Sequence, residues 1–357
     1  MRRVLATALL VLAFIVAFAA AGSSTGAQAF LTKELNATGP KGVSLRGTKV
    51  ALPVPPRYMW GWGDGLRGYC GSFSFQSLGL LYGNYISASP LRNAADGHEL
   101  LIAVNEEIAA NTMRFGFEQW KWDKESVPQA NGFAGWIADH IDDGHGVVVG
   151  MFERKDGGDP DYDHIMPVFG YQRDDGQMSV DGKQKKARSD VIGLHFNDLF
   201  RSTSLYGDLE ADFIQTRRDC AAPGGIQPLA APYDFCLPKN YDYGIALLGN
   251  RDDANELYPA RLVMPSWTEP DYGLEDERHQ AIVSFKPTLE ITGLTAGVAY
   301  VVLRFDHPAD VPVSDFLRGA YSKRFDFTAS ASNATMSAFD EFMSDATVFY
   351  RVVKNTQ

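Results

Sequence analysis

Residues 68–87 read GYCGSFSFQSLGLLYGNYIS, a single cysteine between glycines followed at once by an apolar pattern. Phe73, Leu78, Leu81 and Tyr85 recur at steps of three to five, and Gly83-Asn84 stands near the end. This spacing predicts one helix with Cys70 in its first turn. There the unpaired backbone N–H groups and the positive end of the helix dipole stabilise a thiolate. Three readings of the thiol are open: an inert buried group, half of a disulfide, or a nucleophile. Gly68 and Gly71 either leave room for a substrate backbone or serve a tight turn.

The start of the chain bears on the choice. Arg2 and Arg3 precede an apolar run from Val4 to Ala21, and small residues then lead to Ala27-Gln28-Ala29. The pattern is that of a secretory signal, residues 1–29, cleaved before Phe30. The run is long enough to be read also as an uncleaved membrane anchor. Sequons at Asn36 and Asn333 fit passage through a secretory pathway. Loss of the leader takes two arginines with it and moves the formal net charge from -11 to -13. Such an acidic chain argues against nucleic acid and anionic membranes as partners, and its length suggests two domains.

Three cysteines in an oxidising compartment cannot all pair within one chain. Cys220 and Cys236 bracket a Pro/Gly-rich loop that a disulfide would close with a gain of about 3 kcal/mol in the chain-entropy model. Cys70 is then left free, and a free thiol in a secreted protein is exposed to oxidation and mispairing unless something requires it.

A cysteine nucleophile needs a base. His164, in PDYDHIMPVFGYQRDDG, opens an apolar run from Ile165 to Phe169 that ends in Gly170-Tyr171, a strand pattern entering a polar turn. A second short strand, VIGLHFNDLF, ends in Asn197 and Asp198, either of which can accept a hydrogen bond from an imidazole and fix its tautomer.

Cysteine before a helix, histidine opening a strand that ends in Gly-Tyr, and Asn-Asp closing the next strand together resemble the papain-like cysteine peptidases. CGSFSFQSLGLLYG is similar to the Cys-Gly-Pro-x-Ser…Tyr-x-Gly motif of their C39-like branch. IDDGHGVVVGMFE, residues 141–153, looks like that branch's strand after a helix. The likeness covers about residues 60–200. It implies Cys70 as nucleophile, His164 as general base and then acid, and Asp198 as the orienting residue with Asn197 as substitute. No metal and no cofactor are expected.

Two departures accompany the resemblance. Where such enzymes carry a Gln that completes the oxyanion hole, this chain has Asp64, whose ionised carboxylate opposes an oxyanion. Donors near Cys70 would then come from its own backbone with Gly71, Trp62 or Gln76. In addition, GYCGSF can be laid on the papain signature one register over, which puts Phe73 at the nucleophile position and makes the enzyme dead. Trp60, Trp62, Trp120 and Trp122 line either a carbohydrate or peptide groove or an aromatic core. His140, Asp142, Asp143 and His145 are metal-ligand types, but no matched pair stands elsewhere at ligand spacing.

Beyond Cys236 the stretches YGIALLG, ARLVMPSW, QAIVSFKPTLEITGL, AYVVLRFD, RFDFTAS and ATVFYRVV read as closely spaced strands of an antiparallel sandwich. LEITGLTAGVAYVVLRFD resembles a fibronectin type III strand pair. The expectation is therefore α+β: a papain-like domain over residues 30–238, then a β-sandwich over 239–357. The expected activity is that of a secreted acyl-transfer enzyme cleaving peptide or amide bonds of a peptide or protein substrate, away from the membrane once the signal is cleaved. Two alternatives are a catalytically silent binding protein of the same fold and an amine-accepting transferase of transglutaminase type.

Overall fold

A computed structural model describes residues 32–35, 48–54, 69–94, 100, 104–153, 164–173, 191–197, 204–208, 235–237, 241–253, 255–265 and 284–356. The chain is of mixed helix and sheet, dominated by antiparallel pairing. Among the described residues no helix is long and apolar enough to cross a membrane.

The first part of the chain supplies β1 (Thr32–Leu35), β2 (Thr48–Ala51), α1 (Cys70–Gly79), β3 (Asn84–Tyr85), α2 (Ala88–Ala94), α3 (Glu106–Thr112), β4 (Phe115–Gln119) and α4 (Ala130–Asp142). There follow β5 (Val147–Glu153), β6 (His164–Arg173), β7 (Val191–Asn197), β8 (Ser204–Asp208), β9 (Phe235–Cys236) and β10 (Gly244–Asn250). The large sheet runs β1-β2-β6-β5-β10-β4, with β7 and β8 added beside β6 and β9 on β5. β6 is its hub: Val147↔Val168 sets the register with β5, Ala51↔Gly170 with β2, and Val168↔Phe196 with β7.

α1 is buried on every side, which a helix tolerates only when its polar groups find partners. They do so locally and across to the sheet. Ser77 Oγ donates to the Phe73 carbonyl (2.8 Å), Gln76 Nε2 to that of Ile86 (2.8 Å), and Ser74 Oγ to that of Ile165 in β6 (3.2 Å). The expected single helix ends earlier than its apolar spacing suggests. A 3₁₀ turn, Leu80–Tyr82, follows α1, and Gly83 turns the chain at φ 71°, a left-handed conformation that favours glycine. Tyr85 consequently belongs to a strand, with its ring against Phe285 and Phe342.

The remainder of the chain forms β11 (Leu257–Tyr258), β12 (Ala260–Val263), β13 (Ser284–Phe285), β14 (Thr288–Ile291), β15 (Ala299–Phe305), β16 (Lys323–Thr328), β17 (Ala334–Met336), β18 (Phe342–Met343) and β19 (Val348–Lys354). A sheet ordered β11-β19-β15-β16 and a smaller one ordered β12-β14-β17 enclose a second core that includes Leu262, Leu289, Ile291, Tyr300, Val302 and Val352. On β15 the alternate residues Val301, Leu303 and Phe305 belong instead to the first core, which includes Leu78 of α1, Phe133 of α4, Val148 of β5 and Phe196 of β7.

Two findings alter the expected division at residue 238. β10, counted with the sandwich in the sequence, lies in the large sheet between β5 and β4, because a period of two marks a strand without saying which sheet it joins. Moreover β3, close to Cys70 in the chain, pairs with β19 through Asn84↔Phe349 and Tyr85↔Val348. The seam is polar and buried. Arg351 donates to Asp252 (2.5 Å) and Asn84 (2.9 Å), Arg114 also reaches Asp252 (2.8 Å), and Asn84 donates to Asn250 (2.7 Å).

Candidate thiol site

Tyr69 precedes α1 and offers no side-chain cap to its first N–H groups, so the helix start keeps donors to spare. Cys70, the first residue of α1, is a free cysteine and only 7% exposed. The backbone N–H groups of Ile165 in β6, of Gly71 and of Cys70 itself lie around its sulfur and favour the charged form. Ser74, one turn further along α1, holds the Ile165 carbonyl from the same side. Successive turns of α1 are thus directed at one residue of β6, Ile165, which directly follows His164.

His164 is 1% exposed and stands opposite Met151 on β5. Because β7 runs antiparallel to β6, its last residue, Asn197, comes back toward the His164 end of β6; Asn197 is fully buried and pairs with Ser204. Cys70, His164 and Asn197 therefore lie on three elements that meet at one end of the large sheet. Asp198, Asp64, Trp62, Cys220 and Asn36 lie outside the described residues. Cys236 is in β9, opposite Phe152, and Asn333 is exposed just ahead of β17.

The electrostatics of the thiol oppose one another. Burial pushes Cys70 up to about 11, while the three N–H groups and the charge of Arg92 pull it down. Burial prevails, so the thiol is neutral in this closed arrangement. The donors that surround the sulfur nevertheless suit a thiolate once water or substrate enters. Arg92, on α2, is the residue that sequence reading passed over. Its guanidinium lies 4.5 Å from the centroid of the Tyr69 ring, immediately before Cys70. The only sequence signal for it was a basic residue in the last turn of a short helix, which is commonplace.

Two of the proposed oxyanion donors take different places. Gln76 is spent on Ile86 and stands six residues, about 9 Å, along α1 from Cys70. The Gly71 N–H lies near the sulfur, but the residue's lack of a side chain answers to the protein itself: a Cβ there would collide with the Leu100 carbonyl oxygen. Trp120 is core, packed on Phe133 and Trp136 with Nε1 donating to Gln129 (3.2 Å), whereas Trp122 meets Tyr241 and Tyr243 edge-on. His140 and His145 form no group of three or more metal-ligand side chains among the described residues. Burial pushes both below the ordinary imidazole value, His145 to about 4.

Comparison with known proteins returns no matching family model, no similar curated protein and no similar solved structure.

Proposed function

We propose that this chain is a secreted thiol acyl-transfer enzyme of papain-like, C39-like type that hydrolyses peptide or amide bonds. Cys70 is the nucleophile, His164 the base and then the acid, and Asp198 or Asn197 the residue that orients the imidazole. The observation that carries this reading is the position of the Cys70 sulfur beside the backbone N–H of Ile165, the residue after His164, at an uncapped helix start. His164 takes the thiol proton, the thiolate attacks the carbonyl carbon, and the carbonyl electrons move to oxygen. Collapse expels an amine that receives its proton from His164 and leaves a thioester on Cys70. Water deprotonated by His164 then releases the acid and regenerates the thiol. An amine in place of water would make the same site a transferase. Among the described residues, Arg92 is a positive charge that acts on Cys70 and could offset an oxyanion.

A second reading, a silent binding protein with a structural thiol, is favoured by one observation: burial raises Cys70 to about 11. Alkylation of the native chain with iodoacetamide across pH 4–9, with His164→Ala beside it, separates the two. Rapid labelling of Cys70 well below pH 8.5, lost in the variant, marks a thiol activated by the imidazole. Labelling that waits for alkaline pH or for unfolding, equal in both chains, leaves the thiol structural and removes the enzyme reading.

A further inference from the structure

Among the described residues β4 ends the large sheet, pairing with β10 and with no other strand. An edge strand turns alternate N–H and C=O groups outward, and the pairing with β10 shows which ones. The Trp120 N–H donates to the Gly244 carbonyl (3.0 Å), so these residues form a hydrogen-bonded pair and Glu118 with Ala246 forms the next. Gln119 opposite Ile245 and Phe117 opposite Leu247 are the non-bonded pairs between them. The β10 members bond to the far side instead, as the Leu247 N–H does to the Gly146 carbonyl (3.0 Å). The backbone groups of Phe117 and Gln119 consequently point away from the sheet. A cavity of about 560 Å³ lies along this edge, lined by Phe117, Glu118 and Gln119 although they alternate between the two faces. β4 has neither proline nor lysine to blunt its edge, and its one charged side chain is Glu118.

The two faces differ. Gly244 looks toward α4, since a Cβ there would meet the Phe133 and Trp136 rings, and Glu118, opposite Ala246, shares that face. Trp136 Nε1 donates to one oxygen of the half-exposed Glu118 carboxylate (3.3 Å), and His140 Nε2 lies 3.9 Å from the other. Burial holds His140 below its ordinary value, so the imidazole brings no charge at neutral pH, and Asp139 and Asp143 add to the negative potential around it. Phe117 and Gln119 are on the opposite face. There Gln119 donates to Glu106 (2.8 Å), whose other oxygen accepts the N–H of Val104 (3.0 Å), a residue 70% exposed. The Phe117 ring already has a cation, the Arg251 guanidinium 5.4 Å from its centroid. The remaining charges of the lining, Glu107 and Asp123 against Lys121 and Lys124, balance one another.

We infer that an extended peptide adds to the free edge of β4 as a further antiparallel strand, with apolar side chains opposite Phe117 and Gln119 and a lysine or arginine between them opposite Glu118. Directly opposed residues share a face, so the apolar face and the carboxylate face are met by successive residues of the peptide. Backbone pairing supplies affinity, and the alternating side chains supply specificity. A second copy of the chain fits less well. The register that would use both outward-facing residues, Phe117 against Gln119 of the copy and the reverse, sets two Glu118 carboxylates directly opposite each other, a repulsive pair. The pairing does not depend on thiol chemistry.

The test uses the full chain carrying Cys70→Ser, so that turnover contributes nothing. The probe is acetyl-Thr-Val-Lys-Val-Thr-amide, titrated by calorimetry beside its Val-Glu-Val counterpart and two N-methylated forms. The expected result is saturable binding, roughly tenfold tighter than that of the glutamate peptide and weakened by salt, with slower hydrogen exchange at the Phe117 and Gln119 amides. Methylating both valine amides should abolish binding, whereas methylating the lysine amide, which faces away from β4, should leave it nearly unchanged. Glu118→Gln alters an exposed carboxylate and should lower the affinity severalfold. The inference is overturned by the absence of saturable binding, by protection that spares Phe117 and Gln119, or by equal affinity for the glutamate peptide or the valine-methylated one. Unchanged affinity in a folded Glu118→Gln chain overturns it too. Dimerisation seen by sedimentation, with those two amides protected before any peptide is added, assigns the edge to a second copy and overturns it as well.

Discussion

At position 71 a methyl group would meet the Leu100 carbonyl oxygen and side chain, so Gly71→Ala forces backbone to move at the mouth of the thiol site. The expected cost is about 1–3 kcal/mol, read as a lower urea midpoint, accompanied by faster labelling of Cys70 as the N–H cradle loosens. Arg92→Ala acts on the same sulfur by removing a charge, together with the guanidinium's contact on Tyr69. Removing a nearby positive charge raises the thiol further, so the pH profile of alkylation should move to higher pH, and a profile that stays in place or moves down refutes the electrostatic role. Histidines set the acid limit. His145 is held at about 4 and His195 at about 3, both chiefly by burial. Above pH 6.5 they are neutral whether the chain is folded or not. Below it the unfolded chain takes up protons first, and stability falls by about 1.4 kcal/mol per pH unit for each imidazole. Urea unfolding at pH 7 and pH 5 should show that loss, and His195→Gln should reduce it.

At the scale of elements, the contact of α1 with β6 decides what the cysteine can do. Ser74→Ala removes the hydrogen bond to the Ile165 carbonyl, with an expected loss of about 0.5–1.5 kcal/mol. The more informative measurement is exchange of the Ile165 amide hydrogen. It should quicken more than that of Val168, deeper in the strand pair, if Ser74 helps to seat the helix on this peptide. Much of this level was legible in advance. Cys70 in the first turn of a helix, His164 as the first residue of a strand and Asn197 at the end of the next all appear where the periodicity puts them. Tyr85 did not, because an apolar step of four residues looks alike whether a helix continues or a turn intervenes.

For the whole molecule, the seam between the two cores dominates. The side chain of Asp252 is fully buried between Arg351 and Arg114, and Asp252→Ala would leave the buried Arg351 without its carboxylate. Breaking a buried pair in this way costs about 3–5 kcal/mol. Since β3 pairs with β19 and β15 lends alternate residues to both cores, unfolding should remain one transition in the wild-type chain. Near-ultraviolet circular dichroism and the labelling of Cys70 by an excess of reagent should follow the same urea curve, and separate curves would show that the cores are independent.

From the sequence alone came the mixed α+β class, the strands, the free thiol and the order in which Cys70, His164 and Asn197 occur. These are carried by periods of 3.6 and 2, by turn residues and by counting, all of which act over a few neighbours. Only the tertiary structure decided that β10 joins the large sheet, that β3 crosses to β19, that Arg92 reaches the thiol's surroundings and that Gly71 answers to Leu100. Each of these depends on contacts between residues far apart in the chain, where the free energy lies in shared burial and pairing that no local pattern encodes.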